Sequence, residues 1–256
     1  MKKLFSICLL LAAIILFQGF VSGKKSPRVL VFSKTKGYRH ASIEAGKTAI
    51  QKLGLAHHFL VDTTENAALF TEANLKNYSA VIFLSTTGDV LSDAQQAAFE
   101  RYIQAGGGYV GIHAATDTEY GWPWYGKLAG AYFLSHPEQQ NARFIIKDKK
   151  HPSTKFMTDS VWMHRDELYN FKDINPDIKV LITLDESSYK GGKNGNFHPF
   201  SWYHNFDGGR SFYTSMGHTD ETWNEEQFLK HLYGGIEYAI GGQKKLDYSK
   251  AHTKLP

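Results

Sequence analysis

The sequence predicts an α/β protein built on a doubly wound, mostly parallel β-sheet. Three observations carry this prediction: short apolar segments recur along the first half of the chain, helical patterns separate them, and glycines follow the helical patterns. Continuous apolar segments are typical of strands buried on both faces of a sheet. Strands that alternate with helices form parallel sheets. A chain of 256 residues is long enough to bury a large core without disulfides or structural metals.

In the first half of the chain, glycines mark the ends of two helices. The first helix starts at Ile43 and is predicted to stop at Gly54, and the second is capped by Ser92 and stops at a triple glycine, 106–108. A phosphate-binding loop has the order strand, glycines, helix, whereas here the glycines follow a helix and precede a strand. We therefore interpret the triple glycine as a helix stop. The four predicted strands are 28–33, 58–62, 80–85 and 109–113.

The second half of the chain is less regular and more aromatic. A turn at 206–209 joins two predicted strands into a hairpin, and an amphipathic helix is predicted over 223–240. Trp122, Trp124 and their aromatic neighbours up to Tyr132 are predicted to lie in a loop or short helix. The predicted strands of this half are 143–147, 180–184, 201–204 and 210–214.

The N-terminus resembles a secretory signal peptide, which we assign to residues 1–23. Two lysines precede an apolar stretch, and small residues precede Lys24. The alternative is an uncleaved membrane anchor. Cleavage would leave an α/β domain over 24–242 and a loosely held polar tail over 243–256, in the periplasm or outside the cell and without membrane contact. It would also remove Cys8, the single cysteine, so cysteine-based disulfides, zinc sites and nucleophiles are excluded.

The charge distribution argues against a nucleic-acid partner. The formal net charge is +4, and loss of Lys2 and Lys3 with the signal peptide would reduce it to +2. The lysines and arginines are spread along the chain and form no dense basic stripe of the kind that binds phosphate backbones.

Histidines and carboxylates at strand ends are the candidate functional residues, because open parallel sheets present their ligand-binding groups there. His113 ends the fourth predicted strand, and His218 follows the last one. Asp166 and Glu167 are adjacent, so in an extended segment only one of them faces a shared pocket, and we favour Asp166. We predict no cofactor. The alternative is a divalent ion such as zinc or manganese held by imidazole and carboxylate groups, with the candidate ligands His113, His136, Asp166 and His218.

An ordered series of short motifs over residues 28–241 resembles the ThuA-like, or trehalose-utilisation, family. The resemblance implies a flavodoxin-like layered sheet similar to that of class I glutamine amidotransferases, with an elaborated C-terminal half. In those enzymes the fourth strand leads into a nucleophilic cysteine, a position that His113 takes here, so amidotransferase activity is excluded. The matching motifs include Gly37-Tyr38-Arg39-His40, 106–113, Trp124-Tyr125, His136-Pro137, Asp166-Glu167-Leu168-Tyr169, 209–213 and Gly217-His218.

The resemblance also implies a role in the catabolism of disaccharides or of oxidised sugars such as 3-keto-sugars. One hypothesis is a secreted sugar-processing enzyme in which His113 and His218 exchange protons and Asp166 orients one of them. The other is a non-catalytic carbohydrate-binding module. Convergence of these groups on one pocket favours the enzyme. The predicted sugar-binding residues are Arg39, His40, Asp117, Trp124, His136, Glu167 and Trp202.

Overall fold

The computed structural model describes residues 26–243 and 245–256, so the predicted signal peptide lies outside the described residues. Among these residues, no helix is both long and apolar enough to cross a membrane. The strands are β1 Arg28–Phe32, β2 Leu60–Thr64, β3 Ala80–Leu84, β4 Gly108–Ile112, β5 Tyr132–Ser135, β6 Gln140–Ile146, β7 Val161–Asp166, β8 Asn170–Lys172, β9 Lys179–Asp185, β10 Pro199–Phe206 and β11 Gly209–Thr214. The α-helices are α1 Ile43–His57, α2 Glu72–Leu75, α3 Asp93–Gln104, α4 Pro123–Ala129 and α5 Glu226–Ile240.

Nine of the described strands form one sheet, in the order β2-β1-β3-β4-β11-β10-β9-β6-β7. The first five strands in this order pair in parallel, in the 2-1-3-4-5 arrangement of flavodoxin-like sheets with β11 as the fifth strand. The remaining four pair antiparallel and form the elaborated C-terminal half. The predicted fold class is therefore confirmed.

Helices cover both faces of the parallel strands. Leu84 of β3 faces α1, which approaches closely at Gly46, while the neighbouring Phe83 packs on Phe99 of α3 with ring centroids 5.3 Å apart. On the α1 side, α5 packs so closely over β4 that a Cβ on Gly108 would lie 2.1 Å from the Ala239 carbonyl oxygen. Glycine at this position therefore permits the contact between helix and sheet.

The triple glycine is a helix stop, as predicted. Helix α3 ends at Gln104, Gly106 has a positive φ of +100°, and β4 begins at Gly108. Gly54, in contrast, does not end α1, which continues to His57. A Cβ at Gly54 would lie 2.7 Å from the Phe59 carbonyl oxygen, so this glycine serves close packing on the following segment.

Three strands of the second half were missed because their sequences lack the expected pattern. Strand β7 alternates exposed and buried positions, but its buried face carries His164 and Asp166 beside Trp162, so polarity does not follow burial. Strands β5 and β8 have four and three residues and pair only with each other. Such short strands carry too little periodicity to be recognised.

The C-terminal tail is held against α3, contrary to the expectation of a loose segment. The Gln104 side chain accepts the backbone N–H groups of His252 and Thr253 at 3.0 and 3.1 Å. Arg101 donates to the Thr253 carbonyl at 2.8 Å, and the Asp247 N–H donates to the Ala105 carbonyl at 2.9 Å. Two side chains of α3 and the Ala105 carbonyl therefore hold the tail through its backbone.

Burial of His231 in α5 makes stability depend on pH. His231 is fully buried between Ser153 and Ser201, and burial lowers its pKa to about 3, which the nearby His151 and His164 reinforce. The unfolded chain, with an ordinary histidine pKa, binds the proton first. The contribution of the neutral His231 to the folding free energy is therefore fully present above pH 6.5 and is lost as the pH decreases, by about 3 kcal/mol at pH 4.

Melting temperatures at pH 7, 5 and 4 test this, and a His231→Gln variant should show a shallower decline. An equally steep decline in that variant would contradict the assignment.

Candidate functional site

Three histidines meet at the carboxyl edge of the parallel strands. His40 lies in the loop after β1, His113 is the first residue after β4, and His218 lies in the loop after β11. Because the carboxyl ends of parallel strands share one edge of the sheet, residues far apart in sequence converge there. The Nε2 atom of His113 lies 3.1 Å from Nε2 of His40 and 3.1 Å from Nδ1 of His218.

Glu167 completes this group from the antiparallel half of the molecule. Its Oε2 atom lies 3.0 Å from Nδ1 of His218 and 3.4 Å from Nε2 of His113. Its Oε1 atom lies 3.2 Å from Nδ1 of His136, which follows β5. We call His40, His113, Glu167 and His218 the histidine–glutamate cluster. His136 sits at its rim, where 44% of its side chain is exposed.

Asp166 lies behind the cluster and not in it, which corrects the prediction that it would face the pocket. Its fully buried carboxylate accepts the backbone N–H groups of Gly217 at 2.9 Å, His218 at 3.1 Å and Glu167 at 2.8 Å. Asp166 and Glu167 do point to different sides of the chain, but Glu167 is the residue that reaches the imidazoles. Asp166 therefore positions the loop that carries His218.

Gly217 allows this loop to adopt a positive φ and to pack closely against its neighbours. Its φ of +116° lies in the region that favours glycine, and a Cβ would come within 3.2 Å of Trp223 and 3.3 Å of Ile112. The Gly217 carbonyl accepts hydrogen bonds from Ser42 Oγ at 2.9 Å and Trp223 Nε1 at 3.0 Å. The loop is thus fixed through both its N–H and its carbonyl groups.

His113 occupies a strained position in the backbone. Its φ is +51°, in the left-handed region that non-glycine residues rarely adopt. The strain is held by Tyr213, whose hydroxyl donates to the His113 carbonyl at 2.7 Å, and by the Ser215 carbonyl, which lies 2.8 Å from His113 Nδ1. Because a carbonyl only accepts, Nδ1 carries the proton in the neutral ring and Nε2 presents its lone pair to the cluster. Such strain is concentrated at functional sites.

Burial and mutual contact shift the pKa values in the cluster. Burial, reinforced by His113 and His218, lowers the pKa of His40 to about 3, so this imidazole is neutral at neutral pH. Burial alone would raise the pKa of Glu167, but contacts with His113 and His218 outweigh it and hold that pKa well below its ordinary value. Burial opposes and Glu167 favours the charged form of His218, with a net rise in its pKa.

The cluster has the composition of a metal-binding set. Each residue offers one donor atom, and no two of these four atoms are more than 4.8 Å apart. The candidate ligand set inferred from sequence contained His113 and His218, which are present. It also contained His136 and Asp166, whose places are taken by His40 and Glu167. His136 contacts the second carboxylate oxygen of Glu167 at the rim of the cluster, and the Asp166 carboxylate already accepts backbone N–H groups.

The two tryptophans predicted to bind sugar do not reach the cluster. Trp202 is fully buried, stacks on Tyr213 with centroids 4.3 Å apart, and donates from Nε1 to the Ala129 carbonyl at 2.8 Å. Trp124 donates to Asp207 at 2.8 Å, in the turn before β11 and thus at the opposite edge of the sheet. Full burial leaves Trp202 no face for a sugar, and Trp124 lies at the edge opposite the cluster.

Arg39 and Asp117 also lie outside the cluster. The Arg39 guanidinium bonds Glu65 at 2.8 and 3.1 Å and Glu44 at 3.3 Å on the protein surface. Asp117 accepts a hydrogen bond from the Tyr120 hydroxyl at 2.6 Å, and burial raises its pKa. Neither side chain belongs to the histidine–glutamate cluster, and both are engaged by other residues.

Aromatic side chains flank the cluster at positions that the sequence analysis did not select. Tyr38 is 67% exposed, and its ring meets His40 edge to face with centroids 4.8 Å apart. Tyr169 packs on His113 at 4.5 Å and on Phe133 at 4.3 Å. Period-two spacing from Glu167 would have found Tyr169, since residues i and i+2 of an extended segment face the same side. Tyr38 lies two residues before His40 and could have been found in the same way.

Comparisons with solved structures reveal similar folds over nearly the whole chain. A ThuA-like protein from Bacteroides uniformis has 26% identity and a TM-score of 0.74, covering 90% of this chain and 99% of that one. Another from Parabacteroides merdae has 20% identity and a TM-score of 0.71, covering 89% and 100%. A cytoplasmic protein from Salmonella typhimurium has 14% identity and a TM-score of 0.60, covering 83% and 99%.

No protein of curated function matches this sequence. The family model named ThuA and described as trehalose utilisation matches residues 28–239, a span that includes every residue of the histidine–glutamate cluster. The resemblance inferred from short motifs is thereby confirmed, and the chain belongs to the ThuA family.

Proposed function

We propose that this protein is an enzyme of sugar catabolism that acts on disaccharides or keto-sugars at the histidine–glutamate cluster. The observation that carries the proposal is the convergence of three imidazoles and a carboxylate from four separate loops, with donor atoms 3.0 to 3.4 Å apart along the cluster. The family description, trehalose utilisation, supports the substrate class. From residues 1–23 alone, we further propose that the enzyme acts in the periplasm or outside the cell.

The internal arrangement of the cluster favours an enzyme over a carbohydrate-binding module. A binding module holds sugar hydroxyls with outward-facing polar groups and stacks the ring on exposed aromatic faces. Here the ring nitrogens of His40, His113 and His218 face one another in a largely buried group, and Trp124 and Trp202 are packed elsewhere. A strained residue, His113, at the centre also supports catalysis.

Differences in exposure separate the proposed role of His136 from that of the buried cluster. His113 is fully buried and the His136 side chain is 44% exposed, so a sugar that approaches from solvent contacts His136 first. His136 contacts Glu167 through Nδ1, and an imidazole so placed can exchange protons with a sugar hydroxyl or with the carbon next to a ketone. We therefore assign proton transfer to His136, and we assign to the cluster the positioning of Glu167, the carboxylate that contacts it. Tyr38 and Phe133 supply aromatic surface beside the cluster.

Neutralising Glu167 should abolish activity without unfolding the protein. Glu167→Gln keeps the size of the side chain but removes the charge that joins His136 to the cluster, so we expect turnover to fall at least about 100-fold. The assay is product analysis on trehalose, other disaccharides and their 3-keto derivatives, with melting temperature as a check on folding. The matched control is Glu138→Gln, an exposed carboxylate near the rim, which should keep wild-type turnover.

Two results would contradict the proposed function. Wild-type turnover by Glu167→Gln would show that the reaction does not occur at the cluster. Saturable stabilisation of the wild-type protein by a sugar, with no product from any member of the panel, would favour the binding module.

Asp166→Asn should reduce both stability and turnover, because an amide cannot accept all the N–H groups that the carboxylate accepts. Loss of these buried hydrogen bonds should cost about 1–3 kcal/mol of folding free energy. Because Asp166 holds His218 and Glu167 in place, kcat should fall while KM stays near its wild-type value. His231→Gln serves as the control, since this buried histidine lies away from the cluster and should lose stability but keep kcat below its melting temperature. An unchanged kcat in Asp166→Asn would show that its role is only structural.

A further inference from the structure

We infer that the histidine–glutamate cluster binds one divalent ion of a first-row transition metal. The ligand atoms are Nε2 of His40, Nε2 of His113, Nδ1 of His218 and Oε2 of Glu167. This inference names a cofactor for the proposed reaction. Its catalytic meaning rests on the proposed function, whereas the binding of the ion is measured separately.

Four of the six distances between the donor atoms match those of a coordination shell. A metal–donor length of about 2.1 Å separates neighbouring ligands by about 3.4 Å in a tetrahedral site and about 3.0 Å in an octahedral one. The four close pairs in the cluster lie 3.0, 3.1, 3.1 and 3.4 Å apart. Without an ion, the Nε2 lone pair of His113 faces imidazole nitrogens and a carboxylate oxygen.

The groups around the cluster orient its donors as metal ligands are oriented. The Ser215 carbonyl fixes the His113 proton on Nδ1 and leaves Nε2 free to coordinate. Histidine ligands of metals commonly donate their other ring N–H to a carbonyl or carboxylate in this way. Glu167 is held through its second oxygen by His136. His40 is buried, and its Nε2 lies 3.1 Å from Nε2 of His113.

The buried carboxylates of the site also favour the binding of a cation. Asp166 and Glu167 are adjacent and buried. In the part of the chain that the structure describes, the ion pairs of these two carboxylates involve only histidines and no lysine or arginine. With neutral imidazoles the buried charge of Glu167 meets no full positive charge, and with several protonated ones like charges would lie about 3 Å apart. A divalent ion removes both costs.

The donor set selects the class of ion. Three imidazole nitrogens and one carboxylate oxygen, with no thiolate, suit zinc, manganese, iron, cobalt or nickel more than calcium or magnesium. In six-fold coordination, four protein ligands leave two positions for substrate oxygens. The ketone oxygen of a keto-sugar and its neighbouring hydroxyl match this requirement, and the ion would polarise the ketone as a Lewis acid.

Metal analysis of the intact chain tests the inference. Protein freed of its affinity tag and stripped with a chelator is dialysed separately against Zn²⁺, Mn²⁺ and Co²⁺, and bound metal is measured by elemental analysis. We expect one ion per chain for at least one of these metals, a higher melting temperature in the loaded protein, and visible absorption bands with Co²⁺. The double variant Glu167→Ala/His218→Ala should bind at least about tenfold more weakly. His231→Gln, a buried histidine outside the cluster, should bind as the wild type does.

Failure of this inference is distinct from failure of the proposed function. Less than about one tenth of an ion per chain for all three metals, or undiminished binding by the double variant, would overturn the metal site, even if sugars are turned over. One ion per chain that depends on Glu167 and His218 would support the site, even if no sugar in the panel reacts.

Discussion

The carboxylate of Asp166 is the constraint on which the rest of the site depends. In a flat sheet, β7 would lie four strands, or about 19 Å, from β11. Yet Asp166, the last residue of β7, accepts the N–H groups of the loop that follows β11. The antiparallel half must therefore curve back over the carboxyl edge of the parallel half. Because Glu167 follows Asp166 directly, the same hydrogen bonds deliver the carboxylate of the cluster to the imidazoles.

The sequence located the histidines of the cluster and named Glu167 among the sugar-binding residues, but it favoured Asp166 as the carboxylate that faces the imidazoles. His40, His113 and His218 follow parallel strands, and the rule that ligand-binding groups lie at the carboxyl ends of such strands applies without knowledge of packing. Asp166 and Glu167 end an edge strand whose buried face is polar, and which of them turns toward the imidazoles depends on how the sheet curves. Local sequence does not encode that curvature, since it arises from contacts between segments about fifty residues apart.

The tryptophans show that residue type alone does not identify a binding surface. Residue type suggested that Trp124 and Trp202 would stack on sugar rings, but both N–H groups are satisfied within the protein. An aromatic side chain in a core and one at a binding surface have the same chemistry, and only exposure separates them. Tyr38 and Phe133 lie beside the cluster because the short segments that precede His40 and His136 carry them there. Position relative to a strand end was thus a better guide to the residues of the cluster than residue type.

The fold fixes where chemistry can occur but not which chemistry occurs. Strand β4 ends in a turn that holds His113 in the left-handed region, as a nucleophile elbow would hold a reactive side chain above the sheet. A thiol at this position would supply a nucleophile, whereas an imidazole whose Nδ1 is fixed by Ser215 offers a lone pair toward His40, His218 and Glu167. The strain costs folding free energy whichever side chain is present. In this chain the strained turn directs one donor atom into a group of four, and such a group holds a cation better than any one member does.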